Sequence, residues 1–123
     1  MKHNLLIISV FAVNLIVSCS KDETTTPPVS TNECTGVTST YTNDVASIFN
    51  SSCATSGCHS AASKANGIDL SNYNSAKNVA LSSKLLQAIK HESGATPMPN
   101  GQAKLSPDKI KKVTCWIQNG TPQ

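Results

Sequence analysis

The stretch Cys53-Ala54-Thr55-Ser56-Gly57-Cys58-His59 places two cysteines on one short segment with a histidine directly behind the second. Nothing else in the chain concentrates so much chemistry in so few residues, and little else is available to organise a core. Beyond residue 40 the aromatic residues are Tyr41, Phe49, Tyr73 and Trp116, and the aliphatic side chains are scattered among Ser, Thr and Asn. A domain this small and polar is marginal on apolar burial alone. A bound cofactor, a disulfide or a metal is therefore expected to supply part of what holds it together.

Three readings of the segment compete. Covalent haem attachment joins two thiols to the porphyrin vinyl groups while the histidine after the second cysteine ligates the iron, and its usual signature has two residues between the cysteines. Here the gap is four. Thr55, Ser56 and Gly57 are small or flexible, so the extra residues can bulge outward while both sulfurs reach one porphyrin edge. Haem is the favoured reading, with a Cys53–Cys58 disulfide in a tight loop as the second. Zinc is the third, and it is poorly served. It needs about four ligands, and beyond its cysteines the mature chain offers only His59 and His91, with no second close cysteine pair.

The formal net charge of +3 comes from Lys against Asp and Glu, because the chain has no Arg. Arg is the preferred fork for phosphates and base edges, and no basic run with interleaved aromatics occurs, which argues against nucleic acid as a partner. The lysines read first as a solvated face and second as a surface that steers an acidic redox partner.

The N-terminal region carries its own signals. Lys2 is followed by an apolar run from Leu5 to Val17, interrupted by Ser9 and Asn14 and short for a membrane span. Residues 1–18 thus read as a secretory signal. Leu15-Ile16-Val17-Ser18-Cys19 resembles the lipobox of bacterial lipoproteins, which implies that Cys19 is lipidated and becomes the mature N-terminus. The plain alternative is an ordinary cleavable signal with a spare cysteine. Ser20-Lys21-Asp22-Glu23 resembles the export signal of Bacteroidetes lipoproteins, implying an outer-membrane lipoprotein that faces the periplasm or the cell surface. Residues 19–33, with their Thr, Pro and Ser, read as a tether that cannot build a core. Residues 34–123 are then one domain, leashed to a membrane and not embedded in it.

Within that domain the pattern is helical throughout. Thr42-Asn43-Asp44 offers an N-cap and a first-turn acid, and Val45, Ile48 and Phe49 follow at helical spacing with Cys53 one turn on. Gly67-Ile68-Asp69-Leu70 reads as a turn leading to a helix over 71–79, in which Tyr73, Ala76 and Ala80 form a weak face. Ser82 or Ser83 is expected to cap a firmer helix with Leu85, Leu86 and Ile89 inward and Lys84 and Lys90 outward. From His91 to Lys104 the periodicity vanishes, leaving a loop in which Met98 stands between Pro97 and Pro99. Ser106-Pro107-Asp108 is a strong helix start, Ile110, Val113, Trp116 and Ile117 share a face, and Asn119-Gly120 is the stop. No strand pattern competes, so an all-α fold is expected.

The region from Tyr41 to Gly120 resembles the small cytochrome c domains of Bacteroidetes and Planctomycetes surface proteins. The residues that carry the resemblance are Asp44-Val45-x-x-Ile48-Phe49, Cys58-His59, Met98-Pro99, and Leu105-Ser106 leading to Trp116-Ile117-x-x-Gly120. It implies a class I cytochrome c-like fold of about four short helices around haem c, with N- and C-terminal helices crossing near the haem. Cys53 and Cys58 would form the thioethers, with His59 the proximal iron ligand. Met98 matches the family's distal methionine, and His91 is the alternative sixth ligand. The function implied is one-electron transfer to redox partner proteins, with no enzymatic activity of its own and no small-molecule substrate expected, since both axial positions are filled. A peroxidase-like activity at a vacated axial site is a minor alternative. A different class of function also stands: a haem-free, disulfide-stapled surface lipoprotein that binds a protein or glycan. Cys34 and Cys115 remain once Cys19 takes lipid and Cys53 and Cys58 take haem, and in an oxidising compartment they are expected to pair.

Overall fold

The computed structural model describes residues 33–123. The signal over 1–18, the lipidation at Cys19 and nearly all of the tether lie outside the described residues. Within them the chain forms four α-helices and no strand: α1 (Ala46–Ser52), α2 (Tyr73–Ala80), α3 (Lys84–Lys90) and α4 (Pro107–Gln118). A wide helical turn (Tyr41–Val45) leads into α1, and a single tight turn (Ala65–Gly67) follows the cysteine segment. No described helix is long and apolar enough to cross a membrane.

The start of α1 differs from the sequence reading, which placed the cap near Thr42. Thr40 is the cap: its Oγ1 accepts from the Asn43 N–H at 3.2 Å, and Asp44 Oδ2 accepts in return from the Thr40 N–H at 3.1 Å. The N–H groups of Asp44 and Val45 both reach the Thr40 carbonyl, at 3.1 and 3.2 Å. This widened turn moves the start upstream of Thr42. Ser83 occupies the cap position of α3 as expected, but its side chain makes no capping bond. Helix α2 is capped by Asn72, which accepts from the Ser75 N–H at 3.0 Å.

Helix α4 matches its sequence signals at both ends. Ser106 accepts from the Lys109 N–H, Pro107 takes the first position and Asp108 lies in the first turn. At its C-terminus the Gly120 N–H bonds to the Ile117 carbonyl and the Thr121 N–H to the Trp116 carbonyl, with Gly120 at φ +84°. This pair of bonds closes the last turn on a left-handed residue.

The core is built around Trp116, which is fully buried with Phe49, Ile89, Val45 and Val113. Phe49 meets Trp116 edge-on at 6.1 Å, Tyr41 lies 6.0 Å from it, and Tyr73 meets Tyr41 at 5.4 Å. The turn before α1 packs on α4, and α3 packs on both α2 and α4. The C-terminal tail locks this cluster, because the Pro122 carbonyl accepts from Trp116 Nε1 at 2.8 Å and from the Tyr41 N–H at 2.9 Å. Tyr73 donates its hydroxyl to the Thr121 carbonyl at 2.9 Å. No periodicity announces this role for residues 121 and 122.

Cys34 and Cys115, 81 positions apart in sequence, are joined in a disulfide. The expected pairing is therefore present, tying the start of the domain to the last helix. Asn119 reinforces the junction by donating to the Val37 carbonyl at 3.0 Å.

Candidate functional site

Cys53 sits at the C-terminal end of α1, where its N–H bonds to the Phe49 carbonyl at 2.8 Å, so helix geometry fixes where the segment begins. The four residues between the cysteines are then spent on a compact bulge. The Cys58 N–H returns to the Thr55 carbonyl at 3.0 Å and the His59 N–H to the Cys53 carbonyl at 3.0 Å. Gly57 takes φ +79°, a conformation that favours glycine, and its N–H is held by Ser63 Oγ at 2.9 Å. Thr55, Ser56 and Gly57 are exposed while Cys53 and His59 are buried. The extra residues bulge outward, as the sequence reading requires.

Past the bulge the chain turns back over the histidine. The Ala65 N–H bonds to the Cys58 carbonyl and the Leu70 N–H to the His59 carbonyl, both at 2.9 Å. His59 is thus pinned through its backbone on both sides, and its ring is free of side-chain partners at one position: Nδ1 is buried and makes no hydrogen bond. An unpartnered buried nitrogen costs about 1–3 kcal/mol. Bonding to a group that is not part of the chain would relieve it.

His59 faces two adjoining cavities. The first, of about 340 Å³, is walled by Ile68 and Leu70 after the bulge, Val79 at the end of α2, and Leu85, Ala88 and Ile89 of α3. The second, of about 320 Å³, lies between the cysteine segment and the loop carrying Pro99, Asn100 and Gln102. Cys53, His59, Asn66 and Met98 line both, and Cys58 lines the second. Cys53 and His59 of the cysteine segment and Met98, some 39 residues further on, therefore share one site. The walls contributed by Ile68, Leu70, Val79 and Ala88 are the part that sequence reasoning missed. The alternation of Ile68 and Leu70 about Asp69 is the one local signal for the first two.

His91 is not part of that wall. It ends α3 in a left-handed conformation, φ 54°, and its Nε2–H donates to the Met98 carbonyl at 3.0 Å. Of the two residues, only Met98 lines the cavities. It stands at both cavities, whereas His91 would have to surrender a hydrogen bond to leave its place.

The two thiols differ in character. Both are free, so the disulfide reading of Cys53 and Cys58 is not realised. Burial pushes the Cys53 thiol up to about 11, with the nearby Cys58 adding to the shift and Lys109 opposing it. Cys58 is exposed. No group of three or more His, Cys, Asp or Glu side chains among the described residues is placed to hold a metal ion by itself. The donors at the cavities are spread out: a buried imidazole, a thioether and two thiols along one side.

A scan against protein-family models matches none, and searches of curated proteins and of solved structures return no match. The functional reading rests on the site itself.

That donor set and those walls fit covalent haem. Cys53 and Cys58 would hold it by thioethers, His59 and Met98 would be the iron ligands, and Leu70, Val79, Leu85 and Ile89 would supply an apolar surface beside it.

Proposed function

We propose that this chain is a membrane-tethered c-type cytochrome that carries single electrons between redox partner proteins. The observation that supports it best is the convergence of Cys53, His59 and Met98 on the same pair of cavities. Bound haem would supply a one-electron iron couple.

The roles of the chain's own groups follow from their chemistry. Cys53 and Cys58 would hold the haem by thioethers, each made by adding S–H across a vinyl group with the hydrogen going to the neighbouring carbon, so that no oxidant would be consumed. His59 would contribute an imidazole nitrogen from a backbone held at both ends. Met98 contributes a thioether, which favours the ferrous state more than a second imidazole does. The aliphatic side chains of α3 keep water from the site and so tune the potential further. With His59 and Met98 both serving as iron ligands no iron position would be left for a substrate, which favours transfer of electrons over catalysis. The lipid anchor at Cys19 would keep this carrier at the outer membrane.

The test is a pyridine haemochrome spectrum of protein produced alongside cytochrome c maturation machinery. A spectrum of covalently bound haem that survives denaturation is expected. Its absence would sink the reading, and a haem-free lipoprotein that binds a protein or glycan would take its place.

A further inference from the structure

The loop that brings Met98 to the cavity has no helix or strand of its own, yet its backbone is stitched to α3. The Glu92 N–H bonds to the Gln87 carbonyl at 2.9 Å, Lys84 Nζ reaches the Gly94 carbonyl, and the Met98 N–H bonds to the Ala88 carbonyl at 3.0 Å. The remaining polar group of the Met98 backbone, its carbonyl, is taken by the His91 ring at 3.0 Å. Both backbone groups of Met98 are thus held from the C-terminal end of α3. Where a helix ends in a left-handed residue, glycine or asparagine is the low-strain choice. A histidine there is explained by what its ring does.

We propose that His91 is a positioning residue for Met98, fixing the methionine backbone so that its thioether stands at the His59 cavity. The proposal rests on the haem reading and deepens it. His91 touches neither cavity and acts only through the Met98 carbonyl. Removing its ring loosens the strap while leaving every cavity-lining side chain in place. The ligand bond then opens more often, and an added ligand competes with it more successfully.

Two variants separate the ring from the backbone it sits on. His91→Gly keeps the left-handed turn at least as easily and removes the donor, whereas His91→Gln keeps an N–H donor of similar reach. In ferric holoprotein of equal haem content, His91→Gly is expected to weaken the far-red band of thioether-ligated haem. It is also expected to raise the affinity for added imidazole by about fivefold, the size of one modest hydrogen bond. His91→Gln should restore both towards wild type. Wild-type band and imidazole affinity in His91→Gly would overturn the proposal, as would a glutamine variant no better than glycine. The wild-type protein supplies a further readout that needs no variant to fold, since nitrogen NMR should find the His91 proton on Nε2. A proton on Nδ1 alone would refute the bond. A chain without covalent haem in the haemochrome assay would remove the premise instead, whereas intact haem with an unaffected band overturns this proposal alone.

Discussion

Cys53 and Cys58 stand five positions apart and live in different media. Burial holds the Cys53 thiol neutral, raising it from 9.0 to about 11, while Cys58 lies open to solvent. In haem-free chain, Cys58 is expected to react with an alkylating reagent at neutral pH well before Cys53 does. The same shift links stability to pH. In the unfolded chain the Cys53 thiol ionises near 9, whereas in the folded chain it keeps its proton to about 11. Its contribution is therefore fully present below about 9 and is lost as pH rises towards about 11. Denaturant midpoints of haem-free wild type should fall across that window more than those of Cys53→Ala, and equal slopes would count against the buried thiol. At Met98 the readout is optical. Met98→Ala is expected to abolish the far-red band of the ferric protein and lower its potential, and a band that survives would move the ligand elsewhere.

At the scale of elements, the helices that carry strong local signals are the ones the sequence described best. Helix α4 begins at Ser106-Pro107 and ends on Asn119-Gly120 because each of these residues satisfies or forgoes a backbone bond at the place where a helix end requires it. Removing the cap hydroxyl with Ser106→Ala is expected to cost about 1 kcal/mol, read as a shift in denaturant midpoint with an unchanged slope. A shift indistinguishable from zero would mean that the Ser106–Lys109 bond contributes nothing in solution. The start of α1 was less legible. Thr40 and Thr42 offer the same hydroxyl two residues apart, and local preference cannot choose between them. The choice falls to Thr40 because Tyr41 and Val45 must both be buried, with Tyr41 against Trp116.

For the whole molecule, the Cys34–Cys115 bond closes a loop of 81 residues around a small core. On the chain-entropy treatment such a closure contributes about 4–5 kcal/mol. The double variant Cys34→Ser with Cys115→Ser should lose stability of that order in chemical denaturation, and a loss under about 1 kcal/mol would show the core self-sufficient. The anchor is tested by fractionation: Cys19→Ala is expected to move the protein from the membrane to the soluble fraction, and its continued presence in the membrane would contradict lipidation. The helical class, the ends of α4 and the loop status of Met98 could be read from residue type and spacing, and the disulfide partners were the cysteines left once lipid and haem roles were given to the other three. Each depends on local backbone chemistry or on a short inventory of cysteines. Three other features depended on tertiary structure. One is the pair of cavities that brings residues 53, 59 and 98 to a common wall. Another is the bond from His91 to the Met98 carbonyl, and the third is the lock that Thr121 and Pro122 place on Tyr73, Tyr41 and Trp116. These features join residues whose chemistry is unremarkable where they stand in the chain. A carbonyl is the same at every position, and only the folded path of the backbone selects which donor reaches it.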